Sequence, residues 1–252
     1  MAKQINRHIK LAGTIDDISF YKSQDGYLAR AKGGVSGERI KSDPRFKNTR
    51  LNGREFGASG KAAKFFRKVV NNEMRRAGDN RAASRVTQVM SRILKSDPNN
   101  DWGDRKVSEG DLTLLKGFEF NLGVSLAQAL KPDLGFSIDR VTGQVAVQVP
   151  ALTPAIDIAA PADSTHFNIF AAAMAIDFDA ETASLVRANT VNLPWDNQPL
   201  AAASLAMNLP ANSTVPILLL VGIEFLIIVN GNLHNQSKGA SALQLAVVDL
   251  PA

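Results

Sequence analysis

The 252-residue chain contains no cysteine. That removes disulfides, thiolate metal sites and cysteine nucleophiles together. It leaves the compartment open, because a reducing interior and a bond-free exterior both permit it. Histidine is scarce as well. His8, His166 and His234 are scattered, with no spacing that would bring two imidazoles to one ion, so a transition-metal site is poorly supported. His166, within Ser164-Thr165-His166-Phe167, reads as a core or strand-edge histidine rather than a catalytic one. Nucleotide loops are missing too. Lys32-Gly33-Gly34-Val35-Ser36-Gly37 has the composition of a phosphate loop but not the order, nor the strand–loop–helix context that aims backbone N–H groups at phosphate. Asp177 and Asp179 bracket Phe178; on a strand they would share one face, but the calcium-loop pattern is absent, and a solvated face ending in a turn fits better. No Ser/His/Asp or paired-carboxylate spacing stands out. These absences point to a protein that is not an enzyme and needs no cofactor.

Long hydrophobic runs are also lacking. The longest, residues 215–229, holds Leu218-Leu219-Leu220 and Leu226-Ile227-Ile228 but also Pro216, Gly222 and Glu224. It falls short of the ~20 apolar residues of a spanning helix, and Asn230-Gly231 at its end signals a hairpin. The expectation is a buried strand or strand pair and no membrane span. The N-terminus, Met1-Ala2-Lys3-Gln4-Ile5-Asn6-Arg7-His8-Ile9-Lys10, has no apolar segment of the secretory kind. The cytoplasm is the default expectation, and assembly at the cell exterior would need another export route.

What the chain does have is an uneven charge. Residues 1–110 carry 24 Lys+Arg against 12 Asp+Glu, a net of +12, and residues 111–252 carry 5 against 12, a net of −7. Such asymmetry suggests contact with a polyanion or a self-complementary assembly. The plainer alternative is two faces of opposite sign packed within one molecule.

Local patterns divide the chain into three parts. In residues 1–57, Ile15, Ile18 and Phe20 precede Ser23-Gln24-Asp25-Gly26, and Tyr27 to Ala31 return; Asp-Gly between β-formers is a strong hairpin signal. A two-stranded ribbon is marginal alone and must pack on something. Residues 32–57 follow as a polar, basic segment without periodicity, expected to be an extended arm. In residues 58–110, Ala58, Ala62, Phe65, Phe66, Val69, Val70 and Glu73-Met74, then Ala82, Val86, Val89-Met90 and Ile93-Leu94, trace apolar stripes at helical spacing. Gly78 and Asp79 separate the two helices and Asp97-Pro98 stops the second, giving a helical hairpin. Residues 111–252 change to short alternating runs such as Phe118-Glu119-Phe120 and Val145-Ala146-Val147-Gln148-Val149, separated by turn residues. Eight or so strands at this spacing suggest an antiparallel β-sandwich. The expected class is α+β: a basic N-terminal β-hairpin, an extended arm and a helical hairpin followed by the sandwich.

The cations expected to make assembly or polyanion contacts are Arg39, Lys41, Arg45, Lys47, Arg50 and Arg54 in the arm, with Lys61, Lys64 and Lys68 on one side of the first helix. Both helical phenylalanines lie on the apolar stripe, leaving few aromatics to stack on bases. A homo-oligomer is therefore the first expectation for a partner, and nucleic acid the second.

Several motifs also carry a resemblance. Phe20-Tyr21, Asp25-Gly26-Tyr27, Lys32-Gly33-Gly34-Val35, Ser42-Asp43-Pro44, Thr49-Arg50 and Asn52-Gly53-Arg54-Glu55-Phe56-Gly57 resemble a family of uncharacterised proteins of Bacteroidota, similar in length to this chain. Gly117-Phe118-Glu119-Phe120-Asn121, Thr165-His166-Phe167, Gly222-Ile223-Glu224-Phe225 and Asn230-Gly231 fit the same likeness. It implies a bacterial origin and brings no activity with it.

Overall fold

The computed structural model describes residues 2–5, 9–31, 33–236 and 241–251. His8 and Lys32, singled out above, lie outside them. The chain divides into two units, Met1–Leu51 and Asn52–Ala252.

In the first unit the Asp-Gly signal marks a real hairpin. Strands β3 (Ile18–Ser23) and β4 (Gly26–Ala31) pair antiparallel with Ser23 opposite Gly26. Gly26 takes φ +104°, which this tight turn needs and an L side chain resists. A second tight turn joins β2 (Gly13–Ile15) to β3, and β1 (Ala2–Lys3) pairs with β4, so the four-stranded order is β1-β4-β3-β2.

The segment expected to be an extended arm, residues 32–57, is instead largely helical. Helix α1 (Gly37–Ser42) starts where the Ser36 hydroxyl accepts the Arg39 N–H at 3.3 Å. Asp43 accepts the Arg45 N–H at 3.0 Å and caps a 3-10 turn, Pro44–Phe46. Helix α2 (Lys47–Val69) follows directly and runs for 23 residues. Its start left no periodicity in the sequence because of residues 47–58 only Glu55 is buried.

In the second unit the expected hairpin has three helices rather than two, because Val70, at ψ 23°, breaks the first: α2 ends at Val69, and α3 (Asn71–Ala77) and α4 (Ala82–Lys95) follow. Asp79 accepts the Arg81 N–H at 2.7 Å ahead of α4. Beyond α4, Asp97 accepts the N–H groups of Asn99, Asn100 and Lys106. Burial pushes the Asp97 carboxyl up, but these donors and the Asn100 side chain outweigh it and hold its pKa at about 2.

Two antiparallel sheets follow. The larger has seven strands: β5 (Phe118–Glu119), β8 (His166–Asp177), β9 (Thr182–Asn189), β10 (Leu193–Pro194), β12 (Ile217–Val229), β13 (Asn232–Asn235) and β14 (Ala242–Asp249). Its centre is the pair β8–β12, flanked by β9 and β10 on one side and by β14 and β13 on the other. The smaller sheet has the order β11-β7-β6, from β6 (Gly135–Asp139), β7 (Gln144–Val149) and β11 (Ala203–Asn208). Short helices α5 (Leu126–Ala129) and α6 (Pro154–Asp157) lie in the connections.

The central pair is buried on both faces. Ile169, Ala171 and Ala173 of β8, with Leu219, Val221 and Ile223 of β12, meet Val145, Val147, Leu205 and Met207 of the smaller sheet. From the opposite face Phe170, Ala172, Met174, Leu218 and Leu220 meet Phe66, Val86, Met90 and Ile93 of the helices. Residues 58–110 and 111–252, expected as separate domains, therefore share one core in a helix–sheet–sheet stack that begins at Asn52. Burial on both sides also explains why residues 171–173 and 217–221 read as continuous apolar runs, with no alternation. Among the described residues no helix is long and apolar enough to cross a membrane.

Candidate interaction surfaces

The nine cations marked by the sequence are not equivalent. In the N-terminal unit Asp43 collects Arg45 at 2.8 Å and Arg39 at 3.3 Å. Arg45 first, then Arg39 and Arg50, hold the Asp43 carboxyl below its ordinary value. Arg50 donates to the carbonyls of Ile40 and Asp43 at 2.8 and 2.9 Å and so pins α1 to the start of α2. Lys41 and Lys47 are exposed, with no ion pair or hydrogen bond among the described residues. In the second unit Arg54 meets Asp104 at 2.9 Å and Lys61 meets Glu181 at 3.0 Å. Both pairs are solvated, a setting worth at most ~1 kcal/mol. Lys64 and Lys68 are exposed one turn apart on α2, again without a partner among the described residues.

Much of the charge asymmetry is met inside the second unit. Arg76 of α3 donates to both oxygens of buried Glu224 on β12, at 2.7 and 2.8 Å, and to Asn168 on β8 at 2.9 Å. Arg187 of β9 donates to Glu73 of α3, and Glu55 of α2 accepts the Gly103 N–H at 3.0 Å with Arg105 at 3.6 Å. Residues 52–252 carry 18 Lys+Arg against 19 Asp+Glu, a net of −1, whereas residues 1–51 carry 11 against 5, a net of +6. The plainer reading of the charge thus holds for the second unit, and the excess sits in the first.

That first unit has a further peculiarity: none of its described residues is buried. The register places Ile15 opposite Ile18, Ile18 opposite Ala31, Phe20 opposite Ala29 and Lys22 opposite Tyr27, so these side chains share one face of the sheet. The other face carries Lys3, Thr14, Ser19, Tyr21, Leu28 and Arg30 and is the more polar of the two. The sheet is thus amphipathic, with Ile15 59% and Ile18 45% exposed. Lys10 and Lys22 stand 5.7 and 5.8 Å from the centre of the Tyr27 ring and put two cations at one end of the apolar face. The marginal stability of a short ribbon was the only trace of this surface in the sequence.

The remaining candidates have local roles. His166 opens β8, its Nδ1 3.1 Å from the Thr165 hydroxyl. Asp177 accepts the N–H groups of Asp179 and Ala180 and shapes the turn from β8 to β9, so Asp177 and Asp179 do not share a strand face. Among the described residues no three His, Asp or Glu side chains are gathered so as to hold a metal. Compared with known proteins, the chain matches no family model, no curated protein and no solved structure.

Proposed function

We propose that this is a non-enzymatic structural protein of bacterial origin that assembles with copies of itself, its basic N-terminal unit docking on the acidic β-rich segment of a neighbour. One observation carries the reading: a four-stranded sheet with an apolar face, no buried residue and a net charge of +6 in its unit. Uncovered apolar area of this kind on a small unit marks an interaction site. Donor and acceptor differ, and unlike surfaces that meet head to tail close into rings or extend into filaments and tubes. Light scattering of the full chain at ~50 mM and ~500 mM salt tests it. Oligomers larger than a dimer are expected at low salt, shrinking as salt rises; a monomer at high protein concentration and low salt rejects the reading.

A nucleic-acid partner, as in a protein of a mobile element or phage, is the second reading, favoured by Lys64 and Lys68, which are exposed and have no partner among the described residues. Changing Lys61, Lys64 and Lys68 together to Glu separates the two. Altered assembly with no nucleic-acid affinity to lose fits the first. Submicromolar binding to duplex or single strands at physiological salt, steeply salt-dependent and abolished by the triple change, fits the second.

A further inference from the structure

The edge of the smaller sheet has the features of an acceptor. Strand β6 pairs with β7 on one side, and no strand among the described residues pairs with the other. Exposed sheet edges are commonly guarded by lysine, proline or a bulge; Gly135-Phe136-Ser137-Ile138-Asp139 has none. Phe136 lies opposite buried Val147, so it points to the core side of the sheet, yet it is 41% exposed. Beside it runs a groove of about 330 Å³, lined among others by Leu126, Leu130 and Leu134. Leu126 and Leu130 belong to the core between the two sheets, so along this side the apolar layer reaches the surface. Asp133 lines the groove beside Lys131, whose ammonium donates to the Ile156 carbonyl at 2.6 Å, and Asp139 ends β6, its carboxylate accepting from Val141 and Thr142; neither acid is ion-paired among the described residues.

We infer that this groove and the edge of β6 receive the apolar sheet face of the N-terminal unit of a second copy. The inference rests on the assembly reading above and names its acceptor. Apolar surface meets apolar surface, and the Lys10 and Lys22 end of the donor meets Asp133 at the rim. Ile18 on the donor and Phe136 on the acceptor are the two central side chains.

Variants of the full chain test it. Phe136→Glu and, separately, Ile18→Glu are expected to leave the circular dichroism unchanged and the protein monomeric. Asp133→Lys, at an exposed position with no partner among the described residues, is expected to weaken association about tenfold and carries the test should Phe136→Glu misfold. Mixing Phe136→Glu with Ile18→Glu should yield a dimer and nothing larger, because one chain keeps a donor and the other an acceptor. If the wild type assembles while Phe136→Glu and Asp133→Lys assemble equally well, or if the mixture stays monomeric, the acceptor assignment alone falls. A monomeric wild type overturns the assembly reading and this inference with it.

Discussion

Gly222 sits on β12 where the Phe170 ring crosses from β8. A Cβ there would collide with that ring and approach the Ala242 carbonyl to 2.7 Å. The Arg76 guanidinium lies 3.8 Å from the centre of the same ring and reaches Glu224. One absent side chain thus lets the helix layer, the sheet and a buried ion pair close over each other. Gly222→Ala is expected to destabilise the protein by about 1–3 kcal/mol, the usual cost of overpacking, read from urea unfolding with an unchanged m-value. Burial pushes the Glu224 carboxyl up, but Arg76 and Asn168 outweigh it, so its folded pKa lies below the ordinary 4.5. A group depressed on folding adds stability above its unfolded pKa, and that stability is lost as pH falls through the folded value. Glu224→Gln is therefore expected to cost about 2 kcal/mol at pH 7, less than a fully buried broken pair because Arg76 is partly exposed. The cost should shrink below pH 4.5; a constant difference from pH 7 to pH 3 would show that the charge of Glu224 is not what matters. None of this was legible in the sequence. Glu73 on its apolar stripe and Glu224 in its apolar run hint at burial, and Glu55 does not, but none of the three names its partner until the fold brings up Arg187, Arg76 and Arg105.

At the scale of elements, the signals that worked were local ones. Asp25-Gly26 marked its hairpin, Gly78 and Asp79 marked the boundary between helices, and Asp97 closed α4, because each acts through its own backbone. The signals that failed needed a partner. The first turns of α2 bury almost nothing, and β8 and the first ten residues of β12 are buried on both faces, so neither shows the periodicity of a one-sided element. Helix α2 also carries Gly53, Gly57 and Gly60, and nothing lies within 4 Å of where their Cβ atoms would be. Phe56 beside them is 71% exposed. Glycine in a helix interior costs about 1 kcal/mol relative to alanine, so Gly57→Ala is expected to raise stability by 0.5–1 kcal/mol in thermal or urea unfolding and to leave assembly intact. Lost assembly with raised stability would instead make this helix face a contact.

For the whole molecule, the shared core decides where the chain can be cut. The sequence suggested that residues 111–252 would stand as a domain, but one face of their central sheet is covered by α2, α3 and α4. A fragment of residues 111–252 is expected to be insoluble or unfolded by circular dichroism. A fragment of residues 52–252 keeps both hydrophobic clusters entire and is expected to fold and to remain monomeric. Cutting at residue 57, as the extended-arm reading suggests, removes Glu55 and strands the Gly103 N–H and Arg105. That fragment is expected to be less stable than residues 52–252 by about 1–3 kcal/mol. Equal stability would show that Glu55 contributes nothing.

The stacking of early helices on late strands also sets a timetable. The stripe of α4 belongs to a cluster that is completed only by strands made after it, the last being β14 with Leu243 and Leu245. During synthesis the amphipathic helices leave the ribosome long before those strands, and long-range pairing of this kind is slow to form. The half-made chain therefore shows its greatest positive charge and its largest bare apolar stripe at the same moment. Its exposure to wrong partners is greatest then, and it ends in one event, when the final strand joins the sheet.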